Sequence, residues 1–271
     1  MQNISEQKNI FIEGTQGSGK TTLLETLAGK LDGYRAFREG DYSPVELAWC
    51  SYMTEEQYTE MLEKFPEYVE KIRENTKMED NFLIVTYTRI RTEDRSFYEY
   101  MERYEIYNGR KTPEEFRGII MKRFSAFRGS GNLFECSFFQ NVIETLMLYY
   151  KFSDREVLAF YRDLFGRTEQ EKFLMLYLYS DTLEEDIERA RKERTDENGA
   201  EIWYALMLEY LNTSPYGEFQ AFRSTADIAG HFRRRQKLEL MVIQELFAEK
   251  CMILPAKQYD SDALAKTICG R

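Results

Sequence analysis

Histidine is almost absent from the 271 residues of this chain, and its single representative is His231. A zinc site of several histidines and a catalytic triad with a histidine base are therefore excluded, unless other residues substitute for histidine. We expect His231 itself to lie at the surface, near the start of a helix. Cysteine is also scarce, since the four residues are scattered and form no C-x-x-C pair. Neither a disulfide framework nor a zinc-binding cysteine cluster is indicated.

Long apolar runs and an excess of basic residues are missing as well. No apolar run approaches membrane-spanning length, and the polar first eight residues contain no signal-peptide core. We therefore expect a reduced, cytoplasmic protein with no membrane partner. The chain has 37 basic and 47 acidic residues, a net charge of −10. Because nonspecific nucleic-acid binding relies on a basic surface, we expect no nucleic-acid partner.

The overall composition is that of an ordinary globular protein, with 43% hydrophobic and 31% charged residues. A chain of this length can bury a full core, as one large domain or as a domain with a subdomain. We expect a single domain over residues 1–271.

The most informative stretch lies near the start of the chain. A short apolar run, residues 9–13, is followed by a glycine-rich segment and then by leucines at helical spacing. The segment fits the phosphate-binding loop pattern G-x-x-x-x-G-K-[ST]. Its residues are Gly14, Thr15, Gln16, Gly17, Ser18, Gly19, Lys20, Thr21 and Thr22. The predicted strand before the motif and the predicted helix after it favour a genuine phosphate-binding loop. The alternative is a chance match in a glycine-rich turn.

Nucleotide chemistry explains why these residue types occur together. Glycines let the backbone adopt conformations that surround an anion with N–H groups. The helix that follows adds the positive end of its dipole. We expect Lys20 to contact the β- and γ-phosphates of ATP and the Thr21 hydroxyl to bind Mg²⁺.

Alternation of apolar strands with helices predicts an α/β fold with a mostly parallel sheet. The predicted strands are residues 9–13, 34–38, 82–88, 133–135, 173–179 and 252–254. Capping signals predict helix starts at Thr112, Ser137 and Ser153. Ligands gather at the carboxyl ends of the strands in such sheets. This rule selects Glu39, Asp41, Thr88, Arg89, Arg91, Glu135, Cys136, Ser137, Ser180 and Asp181.

Four segments resemble thymidylate kinases and deoxynucleoside kinases. Residues 10–22 resemble the opening of both families, and residues 38–40 are similar to the Arg-Glu-Pro element of thymidylate kinases. Residues 133–137 are similar to the Glu-Arg-Ser element of deoxynucleoside kinases, with Cys136 in place of the arginine. The strand 173–179 with the charged stretch 187–194 resembles their fourth core strand and arginine-bearing lid.

The resemblance implies a three-layer P-loop kinase fold, with a mostly parallel sheet flanked by helices and a helical lid at about residues 182–212. Residues from about 50 to 130 match neither family, and we expect a helical insertion there that serves the acceptor. The implied activity is ATP-dependent transfer of the γ-phosphate to a small-molecule acceptor, a nucleoside or nucleotide. The alternative is a module that binds a nucleotide, hydrolyses it slowly and has no acceptor. The sequence leaves the oligomeric state open, with a homodimer among the options.

Phosphoryl transfer requires a group that positions or deprotonates the acceptor, and charges that stabilise the transferring phosphate. Asp41 is our first candidate for the base and Glu39 the second, whereas the alternative is a solvated turn. Glu135 is a candidate for the Mg²⁺ shell, and the alternative is a carboxylate that caps the next helix. The resemblance gives Arg38 a part in orienting the substrate.

Arg191 and Arg194 share one face of a charged helix, and would reach the transferring phosphate if this helix is a lid. The alternative is a solvated face whose arginines pair with neighbouring glutamates. The turn at residues 196–199 is expected to be mobile. Further candidates for acceptor contacts, near predicted strand ends, are Tyr42, Tyr87, Arg89 and Phe138.

Overall fold

The computed structural model describes residues 7–270, so residues 1–6 and Arg271, and with them most of the polar start, lie outside the described part. Within it the chain divides into two compact units. We call residues 7–36 with 128–270 the sheet unit, and Phe37–Phe127 the insert unit. The insert unit covers the segment in which we expected an insertion, but begins earlier, at Phe37.

The bounds of the regular elements are as follows. The strands are β1 (Asn9–Gly14), β2 (Arg35–Phe37), β3 (Ser51–Thr54), β4 (Thr76–Glu79), β5 (Phe82–Val85), β6 (Asn132–Glu135), β7 (Phe173–Tyr179) and β8 (Cys251–Pro255). The α-helices are α1 (Lys20–Ala28), α2 (Glu55–Lys64), α3 (Val69–Glu74), α4 (Arg95–Glu102), α5 (Pro113–Ala126), α6 (Gln140–Glu144), α7 (Asp154–Gly166), α8 (Leu183–Glu193), α9 (Ile202–Thr213), α10 (Gly217–Gln220), α11 (Thr225–Leu246) and α12 (Ser261–Cys269). None of these helices, within residues 7–270, combines the length and apolarity that crossing a membrane requires.

The sheet unit is built on a five-stranded parallel sheet of order β2-β6-β1-β7-β8. β1 pairs in parallel with β6 and β7, and β7 pairs in parallel with β8. β1 lies at the centre of this sheet, between β6 and β7, and all of its residues are buried, a pattern typical of a strand covered on both faces. The carboxyl ends of β1, β6 and β7 therefore meet at one edge. The α/β class and the parallel sheet are confirmed.

The two faces of β1 pack against different helices. Ile10 and Ile12 lie in an aliphatic cluster with residues of α1 and α12. Phe11, on the opposite face, contacts Phe138 and Phe173. Those rings pack in turn against aromatic residues of α7 and of the end of α11. The alternation of side chains along β1 thus places helices on both faces of the sheet.

The insert unit has a separate antiparallel sheet of order β3-β5-β4. The insertion that we expected to be helical thus contains three strands as well as helices, and the strand predicted at residues 82–88 lies in this antiparallel sheet and not in the parallel one. β5 ends at Val85, and a 3₁₀ turn follows at Tyr87–Arg89. The strand β4 is polar, and no alternation of apolar residues identifies it in the sequence. It is a strand because it pairs with β5.

Capping predictions are confirmed at two of the three helix starts. Thr112 and Ser153 both accept a hydrogen bond from the backbone three residues on, and the glutamate there bonds back, at the starts of α5 and α7. Ser137 does not cap α6, which has no side-chain cap. Its hydroxyl donates instead to the Glu135 carbonyl, 2.9 Å away.

The prediction that His231 lies at the surface is wrong. His231 is 5% exposed and lies within α11, two turns after its start. Its Nε2 atom is 2.7 Å from Oε2 of the buried Glu144. A buried carboxylate partner, invisible in the local sequence, is what makes this burial acceptable.

Candidate phosphate-binding site

The glycine-rich loop connects the carboxyl end of β1 to α1, in the arrangement that the motif predicts. Gly14 has a φ of +145°, and a Cβ atom there would lie 2.5 Å from the Leu178 carbonyl oxygen of β7. Any larger residue would overlap the neighbouring strand, so glycine is required where the loop leaves the sheet.

Two further glycines shape the loop. Gly17 and Gly19 adopt left-handed backbone conformations, with φ of +80° and +96°. Left-handed residues in such a loop turn successive N–H groups toward one point, a concave arrangement that suits an anion. Gly19 also precedes the first residue of α1, and no side chain caps that helix start. The positive end of the α1 dipole is therefore open to a ligand.

Lys20 is buried, with its ammonium group bonded within the loop. Nζ donates to the carbonyl oxygens of Gly14 and Thr15, both at 2.9 Å. Ser18 is 1% exposed, and its Oγ has no hydrogen-bond partner among residues 7–270. A buried hydroxyl without a partner costs free energy unless a ligand supplies one. The loop thus combines a cation with an unsatisfied polar atom.

The two predicted metal ligands lie in contact. Thr21 Oγ1 donates to Glu135 Oε1 at 2.5 Å, joining α1 to the end of β6. These two oxygens could hold Mg²⁺, which commonly takes one or two protein ligands and completes its shell with phosphate oxygens and water. Across residues 7–270, no group of three or more His, Cys, Asp or Glu side chains is placed to hold a metal ion. Cys136, next in the chain, has a φ of +56°, an uncommon conformation for a residue with a Cβ.

Glu13 is a site residue that the sequence analysis missed. It is fully buried, and its carboxylate accepts hydrogen bonds from the backbone N–H of Phe138 at 2.6 Å and of Gln140 at 3.3 Å. Burial raises the pKa of Glu13 to about 7, although the backbone N–H groups of Phe138 and Phe139 lower it in part. The carboxyl group thereby holds the segment after β6 against β1. A charged residue inside an otherwise apolar strand was the available signal.

α11 brings a buried charge cluster to the same edge of the sheet. The side chain of Arg235 is 0% exposed, and it donates to Glu144 Oε1 at 2.7 Å. It also donates to Gln16 Oε1 at 2.9 Å and to the Gly14 carbonyl at 3.0 Å. Its Nε lies 3.0 Å from Oε1 of Glu239. Sequence reasoning missed this arginine because only the fold brings it to the loop.

The pKa values in this cluster follow from the ion pairs. Burial alone would raise the pKa of Glu144, but the charges of His231 and Arg235 lower it to about 2. Burial raises the pKa of Glu239, against the opposing effect of Arg235. Tyr177 donates its hydroxyl to Glu239 Oε2 at 2.5 Å. Glu144 is therefore the ionised partner that balances the charge of Arg235.

The expected lid helix, α8, packs against the glycine-rich loop. A Cβ atom on Gly17 would lie 3.8 Å from the Cβ of Ala190. Both candidate arginines have partners in the lid region itself. Arg191 Nε donates to Glu201 Oε2 at 2.6 Å, and its guanidinium lies 4.4 Å from the centre of the Tyr204 ring. Arg194 lies 5.3 Å from the centre of the Trp203 ring.

The turn after α8 is ordered by its own first residue. Asp196 Oδ1 accepts hydrogen bonds from the backbone N–H of Asn198 at 2.9 Å and of Ala200 at 2.7 Å. These bonds lower the pKa of Asp196. The structure thus shows a hydrogen-bonded turn at the place where we expected mobility.

In the insert unit, the candidate base lies in a hydrogen-bonded turn. Asp41 Oδ2 accepts from the Arg38 N–H at 3.0 Å, and the Asp41 N–H donates to the Arg38 carbonyl at 3.0 Å. Arg89 forms an ion pair with the same carboxylate. Asp41, Arg38 and Arg89 are therefore brought together. Burial raises the pKa of Glu46 to about 8, and the nearby negative charge of Glu39 is the second cause of this rise.

Three aromatic candidates for acceptor contacts have other roles in the structure. Tyr42 donates to Glu79 Oε2 at 3.0 Å, beside the guanidinium of Arg123. Tyr87 is 1% exposed and donates to Glu105 Oε1 at 2.6 Å. Phe138 is 0% exposed and belongs to the aromatic core of the sheet unit. The proposals for Tyr87 and Phe138 need correction, because neither ring has a surface that a ligand could reach.

Two residues stand out that sequence reasoning did not select. Lys257, between β8 and α12, has a φ of +62°, and its Cγ would lie 3.5 Å from a Cβ atom on Gly19. The stem of the Lys257 side chain therefore lies beside the glycine-rich loop. In the insert unit, Trp49 is 44% exposed with a φ of +57° and lies next to Gly40. Residues in such uncommon backbone conformations cluster at functional sites, which makes Trp49 a candidate for ligand contact.

Comparison with known proteins adds no family to this description. No protein-family model matches the chain, and no curated protein matches it.

Proposed function

We propose that this chain is a P-loop phosphotransferase, which binds ATP with Mg²⁺ and moves the γ-phosphate to a small-molecule acceptor, a nucleoside or nucleotide. The observation that supports this proposal best is the loop after β1. It combines left-handed glycines, an uncapped helix start and the buried ammonium group of Lys20. This combination favours a phosphate group over a neutral ligand.

Each loop residue has a defined part in this proposal. Lys20 exchanges the carbonyls of Gly14 and Thr15 for phosphate oxygens. Thr21 and Glu135 would hold Mg²⁺, which would supply positive charge beside the phosphates. Ser18 gains the hydrogen-bond partner that it lacks among the described residues.

The lid and the acceptor complete the proposal. Arg191 and Arg194 leave their partners in α9 for the transferring phosphate as α8 closes. Asp41, or Glu39, receives the proton of the acceptor hydroxyl, and Arg38 orients the acceptor. We place this chemistry in the reduced cytoplasm, consistent with four free cysteines. A homodimer is compatible with the proposal.

The alternative is a module that hydrolyses its nucleotide slowly without an acceptor. The bonds of Asp41 favour this reading, because a backbone N–H and an arginine already occupy its carboxylate. Nucleosides, nucleotides and unrelated hydroxylated compounds should be screened for ATP-dependent phosphorylation. Transfer well above the water background supports the kinase, whereas hydrolysis that no acceptor changes supports the module.

Nucleotide binding itself is tested by Lys20→Ala. The variant loses a charge-assisted contact of about 1.5–3 kcal/mol, so ATP affinity should fall about ten- to a hundredfold. Isothermal titration with ATP and Mg²⁺ measures this. Lys30→Ala is the matched control. Lys30 lies just after α1, and its Nζ forms an ion pair with Oδ1 of the exposed Asp262, 2.5 Å away, which contributes little to stability. Equal affinity in Lys20→Ala and the parent would refute the phosphate-binding assignment.

A further inference from the structure

Arg235 makes contacts with the glycine-rich loop that the motif does not require. It is the eleventh residue of α11 and reaches the loop across 221 positions of the chain. Nη1 binds the side chain of Gln16, and Nη2 binds the carbonyl oxygen of Gly14. A completely buried guanidinium therefore contacts both the first and the third residue of the loop.

The Gly14 carbonyl is shared between two cations. It accepts from Lys20 Nζ at 2.9 Å and from Arg235 Nη2 at 3.0 Å. A carbonyl oxygen has two lone pairs and can accept both bonds at once. When Lys20 turns to a phosphate, the Gly14 oxygen keeps Arg235 and is not left unsatisfied. The other carbonyl that Lys20 leaves, that of Thr15, keeps the Ser18 N–H, 3.3 Å away.

Arg235 itself cannot follow the ligand, because buried carboxylates hold it. Glu144 and Glu239 bind its guanidinium from α6 and from the next turn of α11. His231 and Tyr177 hold those two carboxylates in turn. Phe232 lies beside the guanidinium, 5.5 Å from its carbon to the ring centre. The cation is fixed to the scaffold and presents two donors to the loop.

The neighbouring residue of α11 holds the next strand end. Gln236 accepts from the Ser180 N–H at 3.3 Å and donates to the Ser180 carbonyl at 2.8 Å. Ser180 directly follows β7, and Gly14 ends β1. Consecutive residues of one helix therefore fix the exits of two adjacent strands, and with them the entry to the loop.

We propose that Arg235 is the positioning residue of the phosphate-binding loop: it holds the Gly14 carbonyl and the Gln16 side chain in place while Lys20 exchanges the carbonyl oxygens of Gly14 and Thr15 for phosphate oxygens. The proposal rests on the function proposed above. Arg235 itself does not contact the nucleotide. It affects the affinity for ATP by keeping the loop in the conformation that binds phosphate.

Arg235→Lys tests the proposal, because it keeps the charge but loses the planar fork with its two parallel donors. We expect ATP affinity to fall about tenfold, and the amide hydrogens of residues 14–19 to exchange faster in the free protein. Arg234→Met is the matched control. Arg234 precedes Arg235 on α11, is 40% exposed at its side chain and contacts Tyr216. It should leave both readouts unchanged.

The outcomes separate this inference from the proposed function. Absence of ATP binding by the parent protein would overturn the proposed function. Binding by the parent together with unchanged affinity and loop exchange in Arg235→Lys would overturn the positioning role alone. A lower melting temperature with unchanged affinity of the folded protein would also overturn it, since a purely structural residue gives that result.

A second measurement needs no variant. The guanidinium N–H signals of Arg235 in the parent protein should exchange slowly with water, both without a nucleotide and with saturating ATP and Mg²⁺. The ammonium signal of Lys20 should change between the two states. Loss of protection at Arg235 on ATP binding would contradict the proposal, because a positioning residue keeps its partners.

Discussion

The sheet unit and the insert unit both bury carboxyl groups, but they give them different partners. In the sheet unit, Glu144 contacts the cation of Arg235 and the ring of His231, which hold its pKa at about 2 against the effect of burial. In the insert unit, Glu46 accepts a hydrogen bond from the Ala48 N–H, and Glu105 accepts one from the Tyr87 hydroxyl. Burial raises their pKa values to about 8 and about 7.

The difference shows what a buried acid requires in each setting. Glu144, which lies between Arg235 and His231, stays ionised, whereas Glu46 and Glu105, among phenols and backbone groups, take up a proton near neutral pH. In the sheet unit burial still raises the pKa of Glu239, although Arg235 opposes it, so Glu144 is the carboxylate that carries the compensating charge. The insert unit keeps its buried acids close to neutral. The two tryptophans of the chain, Trp49 in the insert unit and Trp203 in the sheet unit, can report the unfolding of each unit separately.

The strongest contrast between the units is expected when one buried carboxyl group is replaced by an amide in each. Glu144→Gln leaves Arg235 with an uncompensated charge in the core, so the free energy of unfolding should fall by about 3 kcal/mol. Glu46→Gln replaces a carboxyl that burial already disfavours in its ionised form, so stability at pH 8 should stay the same or rise. Urea unfolding, followed in variants that retain one tryptophan, measures both. Equal losses would show that ion pairing does not distinguish the units.

The pH dependence of stability should differ between the units. The folded pKa values of Glu46 and Glu105 lie above the ordinary value of 4.5. Their favourable contribution is therefore complete below pH 4.5 and is lost as the pH rises through 7 and 8. Because one pKa unit corresponds to about 1.4 kcal/mol, we expect the free energy of unfolding of the insert unit to fall by several kcal/mol between pH 5 and pH 8.5, followed through Trp49.

The sheet unit has an opposite contribution at acid pH. The pKa of Glu144 is lowered, so its stabilising effect is present above pH 4.5 and is lost as the pH falls toward 2. Glu13, with its pKa raised to about 7, behaves like the insert-unit acids.

The control for the insert unit is the double variant of Glu46→Gln and Glu105→Gln. In this variant the free energy of unfolding, followed through Trp49, should fall less as the pH rises. Unchanged stability of the parent insert unit from pH 5 to pH 8.5 would contradict the comparison.

The smallest expected effect concerns the arginines of the sheet unit, which differ in whether a phosphate could replace their partners. Arg191 and Arg194 have half-buried partners at the start of α9, which a phosphate can replace, whereas Arg235 is held by buried carboxylates. Arg191→Ala or Arg194→Ala should lower kcat by about tenfold or more and change ATP affinity much less, because the contact strengthens as charge develops. Lys192→Ala on the same helix is the control.

Steady-state kinetics with an accepted substrate provide the measurement. The amide hydrogens of residues 196–199 should also exchange more slowly when ATP and the acceptor bind together. If neither arginine variant alters turnover and the turn exchanges as before, α8 is a solvated helix paired with its own acids and not a lid.

The sequence by itself determined the features that depend on near neighbours. The glycine-rich loop, the strand before it and the helix after it follow from one short stretch. The capping boxes at Thr112 and Ser153 formed as predicted, because their bonds span three residues. The buried run of β7 was recognisable from its composition alone. Thr21 and Glu135 could be selected as candidate metal ligands because each lies near the end of a recognisable element, and the structure brings the two side chains into contact.

Only the tertiary structure decided which distant groups meet. β4 became a strand because β5 offered it a partner, and His231 became buried because Glu144 lies opposite. Phe138 turned inward with the aromatic face of the sheet. Arg235 reached Gly14 from 221 positions away, in a helix whose sequence carries no sign of the loop. Local patterns fix backbone conformation, but the free energy of burying a charge depends on partners that chain folding alone brings within bonding distance.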